Sequence, residues 1–242
     1  MKHSFAAILV VAVLLFPIST EAQTGSYGVN VTKGSSVIWD VEIGTNFTLW
    51  YTGGGYCAIE NGSTITFDIS DVSQEVFGTL NIGNVSVQTN DTMVALDLTL
   101  GIWPSWLPGL FVEIGQENID SLNESAFAAA ERISGNWMNG TITSRYEWLS
   151  VGQVLQECIV FDYEQDAPGT QVTHLAYSLA TGILVEADTS VTFGSTYRLV
   201  LSLRGESEIP TGIDLGGLVL IVSGGVFVVI IIAYVQLSRR KL

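Results

Sequence analysis

Seven asparagines carry the clearest chemical pattern in this chain. Asn30, Asn46, Asn61, Asn84, Asn90, Asn123 and Asn139 each open an Asn-x-Ser/Thr triplet, seven of the ten asparagines present. The Ser and Thr content would give roughly two such triplets by chance. In an exported chain the triplet accepts an N-linked glycan, so these positions are expected on exposed turns of a decorated surface. Enrichment of polar turn residues is the plain alternative. All ten asparagines lie between Asn30 and Asn139, and the stretch from Gly140 to the C-terminus has none. That gap predicts that Thr141 to Leu203 form a face kept clear of glycans, set against a membrane or a protein partner.

Other reactive side chains are few. Cys57 and Cys158 are the only cysteines. In an oxidising compartment a disulfide between them is favoured, and closing about a hundred residues stabilises by up to ~4.7 kcal/mol in the chain-entropy model; two buried free thiols are the alternative. Beyond the first segment His174 is the sole histidine, so no histidine-based metal cluster is available and any Ser-His-Asp arrangement must use it. It follows no Gly-x-Ser-x-Gly elbow, which leaves a surface hydrolase as a distant third reading. Asp162, Glu164 and Asp166 alternate and so share a strand face about 6.6 Å apart, open to Ca²⁺ but more simply a solvated acidic face. No cofactor is implied. Trp103, Trp106 and Phe111 crowd an apolar loop bearing Pro104 and Pro108. They are the candidate ligand-binding residues, capping an apolar cavity, with ordinary core as the alternative.

Strands must position these groups. From Val37 onward apolar and polar side chains alternate, the period of half-buried strands: Val37, Trp39, Val41 and Ile43; Ile65, Phe67 and Ile69; Val94, Leu96, Leu98 and Leu100; Ile159, Phe161 and Tyr163; Tyr197, Leu199, Leu201 and Leu203. Asn61-Gly62 and Asn139-Gly140 suit tight hairpins, while Pro168-Gly169, Thr181-Gly182 and Gly194-Ser195 mark looser reversals. The pattern predicts a mainly β (α+β) fold, a curved antiparallel sheet or half-barrel of roughly nine or ten strands with one apolar face. Ser121 and Glu124 offer a capping box for one short helix running to about Ile133, with Leu122, Ala126, Phe127, Ala130 and Ile133 on one side. That helix and the Trp-rich loop are expected to cover the sheet.

Two apolar segments bracket the domain. Lys2, the stretch from Phe5 to Phe16 and the Thr20-Glu21-Ala22 site have the layout of a signal peptide, residues 1–22, an uncleaved anchor being the alternative. Leu215 to Leu237 is a run of 23 residues with no charged side chain. At ~1.5 Å per residue it covers the roughly 30 Å bilayer core as a transmembrane helix, a length buried core helices seldom reach. Arg239, Arg240 and Lys241 then place the tail, 238–242, in the cytoplasm. Residues 23–204 become an extracellular β-rich domain on a short linker, 205–214. Between 23 and 212 the chain carries twenty-two Asp and Glu against five Lys and Arg, a net charge of −17. Such a surface repels phosphate backbones, which excludes nucleic acid as a partner.

The opening Val31-Thr32-Lys33-Gly34-Ser35-Ser36-Val37-Ile38-Trp39-Asp40-Val41, the late Leu175-Ala176-Tyr177-Ser178-Leu179-Ala180-Thr181-Gly182-Ile183-Leu184 and a C-terminal anchor together resemble the archaeal "choice-of-anchor S" surface proteins. The Tyr-x-x-x-Thr-Gly-x-Leu element is the most specific part. The resemblance implies an exported domain with no catalytic residues to carry over. More distantly, a curved sheet closed by a helix and a hydrophobic loop is similar to the half-barrels of bacterial lipoprotein carriers, a likeness of fold alone. The sequence thus reads as a single-pass, N-outside surface glycoprotein serving as a non-enzymatic surface or binding module, with an apolar ligand or another surface protein as the alternatives for its partner. A half-barrel for a lipid or other apolar ligand is the runner-up. The two differ in whether the sheet's apolar face is filled by its own side chains or encloses a cavity.

Overall fold

A computed structural model describes residues 27–45, 47–50, 56–134, 139–166, 169–193 and 195–205, with backbone alone at 45, 47–50, 56, 57, 193 and 195. The expected signal peptide, the linker beyond Gly205, the span 215–237, the tail, Asn46 and the side chain of Cys57 lie outside the described residues. Among the described residues no helix is long and apolar enough to cross a membrane.

In chain order the elements are β1 (Ser36–Thr45), β2 (Phe47–Trp50), β3 (Tyr56–Ile59), β4 (Thr64–Val72), β5 (Val76–Ile82), β6 (Val85–Asn90), α1 (Asp91–Leu98), α2 (Gln116–Ser134), β7 (Gly140–Val151), β8 (Val154–Gln165), β9 (Thr170–Ser178), β10 (Leu184–Phe193) and β11 (Ser195–Leu203). Nine strands form one open antiparallel sheet in the order β6-β5-β4-β1-β11-β10-β9-β8-β7, and β2 pairs with β3 as a separate ribbon. Two meanders run outward from the centre, where Trp39 of β1 stands opposite Leu203 of β11 and Val41 opposite Leu201. The sequon-free stretch after Gly140 is therefore one contiguous half of the sheet, β7 to β11.

Alternation decides which side chains are buried. Ile65, Phe67 and Ile69 of β4, Leu80 and Ile82 of β5, Trp39 and Val41 of β1, and Leu199, Leu201 and Leu203 of β11 all lie in the core. The strands expected around 37–43, 65–69, 159–163 and 197–203 are present as parts of β1, β4, β8 and β11.

Three local expectations are overturned. Val94 to Leu100 is not a strand, because Asn90 caps a helix there: its side chain accepts from the Met93 amide at 2.8 Å, and Val94, Ala95 and Leu98 turn inward at helical spacing. Thr99 ends α1 in the left-handed region at φ 58°. Helix α2 starts at Gln116, five residues before the Ser121 capping box, and its buried face is Ile119, Ala126, Ala129 and Ala130. Phe127 is exposed instead, since the helix packs its alanines closely against the domain and turns the bulky ring outward. Asn139-Gly140 joins α2 to β7 and Asn61-Gly62 joins β3 to β4, which lie in different sheets, so neither is a hairpin turn.

Candidate functional site

The loop from Thr99 to Gly115 lies on the sheet's apolar face, and its polar backbone is satisfied by side chains reaching up from the strands. Tyr197 Oη donates to the Leu98 carbonyl at 2.9 Å, Thr189 Oγ1 to Thr99 at 3.0 Å, Gln171 Nε2 to Gly101 at 2.7 Å and Tyr177 Oη to Gly109 at 2.9 Å. A loop can be buried only when its amides and carbonyls find such partners. The β9–β10 turn completes the seat. The Val112 amide donates to Gly182 O at 2.8 Å and the Leu184 amide to Leu110 O at 2.9 Å, while Gly182 takes φ 76° with Val112 O so close that no β-carbon fits.

This seating decides the three candidate ligand residues. Phe111 is fully buried, 6.2 Å edge-on from Trp39 and 5.7 Å from Phe67 between ring centroids. Trp106 is 8% exposed, packs at 5.0 Å on Phe161, and its indole donates to Ser125 Oγ at 3.1 Å. Only Trp103, 40% exposed, reaches solvent. Of the three residues expected to cap an apolar cavity, Phe111 and Trp106 are buried in the core, the alternative reading, because the loop backbone is tied down at both ends and drives their rings into the sheet.

Clefts on the described surface include two with polar linings. One of about 230 Å³ lies between Tyr27, Pro108, Val112, Glu113 and the α2 residues Asn118, Ser121, Leu122 and Ser125. The other, about 430 Å³, lies on the outer sheet face over Glu42, His174, Glu186, Asp188, Val200 and Ser202. In the latter His174 Nδ1 sits 2.7 Å from Asp162 Oδ1. Burial pushes the Asp162 carboxyl up, but hydrogen bonds to His174 and Arg145 outweigh it and hold the group below its ordinary value. Ser202 is no partner to that pair. His174 is opposite Asp188, Asp188 is opposite Val200, and Ser202 is two pairs further along, opposite Glu186. It therefore stands roughly 12 Å from His174, far outside nucleophile-to-base reach. Glu164 and Asp166 are exposed, and among the described residues no group of three or more His, Cys, Asp and Glu is placed to hold a metal ion.

Sequence reasoning missed the buried acids. Asp91, 1% exposed at the start of α1, accepts from the Val76 amide at 3.3 Å, while its Oδ2 and Glu75 Oε2 have no hydrogen-bond partner among the described residues. Burial, with Glu75 adding to it, pushes the Asp91 carboxyl up to about 7. Burial first, then Asp91, Glu113 and Glu75, drive Tyr27 upward as well. The one legible signal was an acid at the first position of a capped helix.

Four sequon asparagines, Asn30, Asn61, Asn84 and Asn139, stand exposed, whereas Asn90 and Asn123 are half-buried. Asn90 also caps α1, and Asn123 lies within α2 with a buried Oδ1 that has no hydrogen-bond partner among the described residues. If the chain is exported, glycopeptide mass spectrometry is expected to find high occupancy at the four exposed sites and low occupancy at Asn90 and Asn123. Full occupancy at Asn123 would contradict the α2 packing.

The expected disulfide is not present among the described residues: Cys158 is a buried free thiol, and burial, with Glu186 adding to it, pushes it up to about 11. The sheet order explains this. Cys158 is on β8, while the β2–β3 ribbon that carries Cys57 sits by β1, where Ile59 touches the Gly44 position. Three strands separate β1 from β8, roughly 19 Å along the sheet, against a Cα separation under about 7 Å in a disulfide.

Compared with protein-family models, curated proteins and solved structures, the chain finds no match.

Proposed function

We propose that this chain is an N-glycosylated, single-pass cell-surface module without enzymatic activity. Residues 1–22 serve as signal peptide, 23–204 as the extracellular domain, 205–214 as linker, 215–237 as transmembrane helix and 238–242 as cytoplasmic tail. The sheet curls as a half-barrel around α2 and the Trp-rich loop. The observation that carries this reading over a lipid carrier is that the protein's own Phe111, Trp106, Trp39 and Phe67 are buried on the apolar face. Exposure of four sequon asparagines supports the surface assignment.

The test is topological. Protease added to intact cells is expected to remove nearly all of the mature chain and leave a fragment of the size of the 215–242 segment, as read by a C-terminal epitope. Protection of the domain would sink the assignment.

A further inference from the structure

The β7–β8 hairpin outruns the sheet. Its pairing to β9 ends at Cys158 opposite Ser178, with one more bond from the Leu179 amide to Glu157 O at 2.9 Å. Its internal pairing continues to Val151 opposite Val154. The overhang, Trp148-Leu149-Ser150-Val151-Gly152-Gln153-Val154-Leu155-Gln156, has no charged residue, in a chain of net charge −15. Trp148 and Leu155 are each 63% exposed and diagonal neighbours on one face, and Val154, 62% exposed, is on the other. Val151, opposite Val154, is buried, so the ribbon covers core at that one position and leaves Trp148, Leu155 and Val154 uncovered.

Its place explains it. At Gly152, in the left-handed region at φ 59°, an added β-carbon would stand 3.1 Å from the Cα of Gly205. The hairpin tip thus rests against the last described residue, from which the chain runs on to the apolar segment starting at Leu215. Ten residue steps span at most about 35 Å. A tip beside Gly205 is therefore held at high effective concentration near whatever surface Leu215 enters.

We infer that the hairpin tip docks on the headgroup region of the lipid bilayer, with Trp148, Leu155 and Val154 in the interface. The inference rests on the membrane-anchored reading above. Tryptophan favours that layer, and an uncharged tip suits a zwitterionic surface that the acidic remainder of the domain neither seeks nor is repelled by. The unpaired outer edge of β7 keeps the ribbon out of the hydrocarbon core, where such groups would stay unsatisfied. No sequon falls on the hairpin: Asn139 is at the far end of β7, about 40 Å away. A glycan on Asn30, whose Nδ2 donates to Ala180 O at 3.4 Å by the β9–β10 turn, would flank the tip and confine the contact to the hairpin itself.

All six tryptophans lie at or before Trp148, so none is in the 215–237 segment and each reports on the domain alone. The full chain, reconstituted into phosphatidylcholine vesicles, is floated after alkaline extraction to read anchoring, and its fluorescence is then compared in vesicles with and without brominated acyl chains. The expected result is flotation, quenching in the wild type, loss of the greater part of that quenching in Trp148→Phe and in Leu155→Asp, and no such loss in Trp103→Phe. Flotation without quenching, or quenching unchanged in Trp148→Phe, overturns the hairpin contact while leaving the anchor intact. Absence of quenching together with a cross-linked dimer that Leu155→Asp abolishes assigns the face to a second copy and likewise overturns it. Failure to float removes the anchor and the inference together.

Discussion

Replacing Phe111 by alanine is expected to lower the unfolding free energy by about 3–5 kcal/mol, the range for a fully buried aromatic that leaves a cavity its neighbours cannot fill. The cavity would open between Trp39 and Phe67, whose rings Phe111 touches from the loop side. Trp39 cannot follow it inward, because its indole donates to the Leu184 carbonyl at 2.7 Å and shifting it would strand that buried acceptor. Phe111→Leu, which keeps most of the volume, should lose clearly less. Trp103→Ala, at a partly exposed position of the same loop, should lose clearly less than Phe111→Ala. Guanidinium unfolding of the full chain in detergent, followed by tryptophan fluorescence, gives all three values. A near-neutral Phe111→Ala would mean that the loop is a lid and not part of the core, and would reopen the apolar-ligand reading.

The second large effect concerns pH. An aspartate whose folded value is raised from 3.8 to about 7 binds its proton more tightly in the folded chain than in the unfolded one. Its stabilising contribution is thus greatest at low pH, is lost progressively as pH rises from about 4 to about 7, and is flat beyond that. The loss is on the order of 4 kcal/mol over that window. Asp97, pushed up to about 6 by burial, acts in the same direction but is more open to solvent and contributes less. Asp91→Asn keeps an oxygen for the Val76 amide and carries no charge, so the gap between unfolding curves at pH 5 and pH 8 should shrink to the smaller Asp97 contribution in the variant and stay wide in the wild type. Equal pH slopes would show that Asp91 titrates as an ordinary carboxylate and that water reaches it.

Periodicity by itself determined the strands in which packing and pairing agree with local pattern. Val37-Trp39-Val41, Ile65-Phe67-Ile69 and Leu199-Leu201-Leu203 alternate in the sequence and are buried on one face of the sheet, since a period of two has no other way to hide its apolar half. The same signal misled at Val94 to Leu100, where the 90–99 segment is short enough for alternation and helical spacing to overlap. There the Asn90 cap and the α1 seat against the core won. The role of the Trp-rich loop was not legible either, because the groups that bury it are distant in sequence. Tyr177, Gln171, Thr189 and Tyr197 look like ordinary strand residues until the sheet order sets their hydroxyls and amide beneath the loop carbonyls.

The Tyr177 to Leu184 element and the Trp39 opening were read as separate motifs. Tertiary structure joins them, since Tyr177 holds Gly109, Leu184 holds both Leu110 and the Trp39 indole, and Phe111 is clamped between. Cys57 and Cys158 show the opposite outcome, because composition favoured a pairing whereas Cys158 is a buried thiol on a strand separated from β1 by three others. Sequence determined which residues must be hidden and where the chain is apolar. Strand order decided which of them meet, because side-chain contacts are set by distances across the sheet, to which position along the chain gives no direct access.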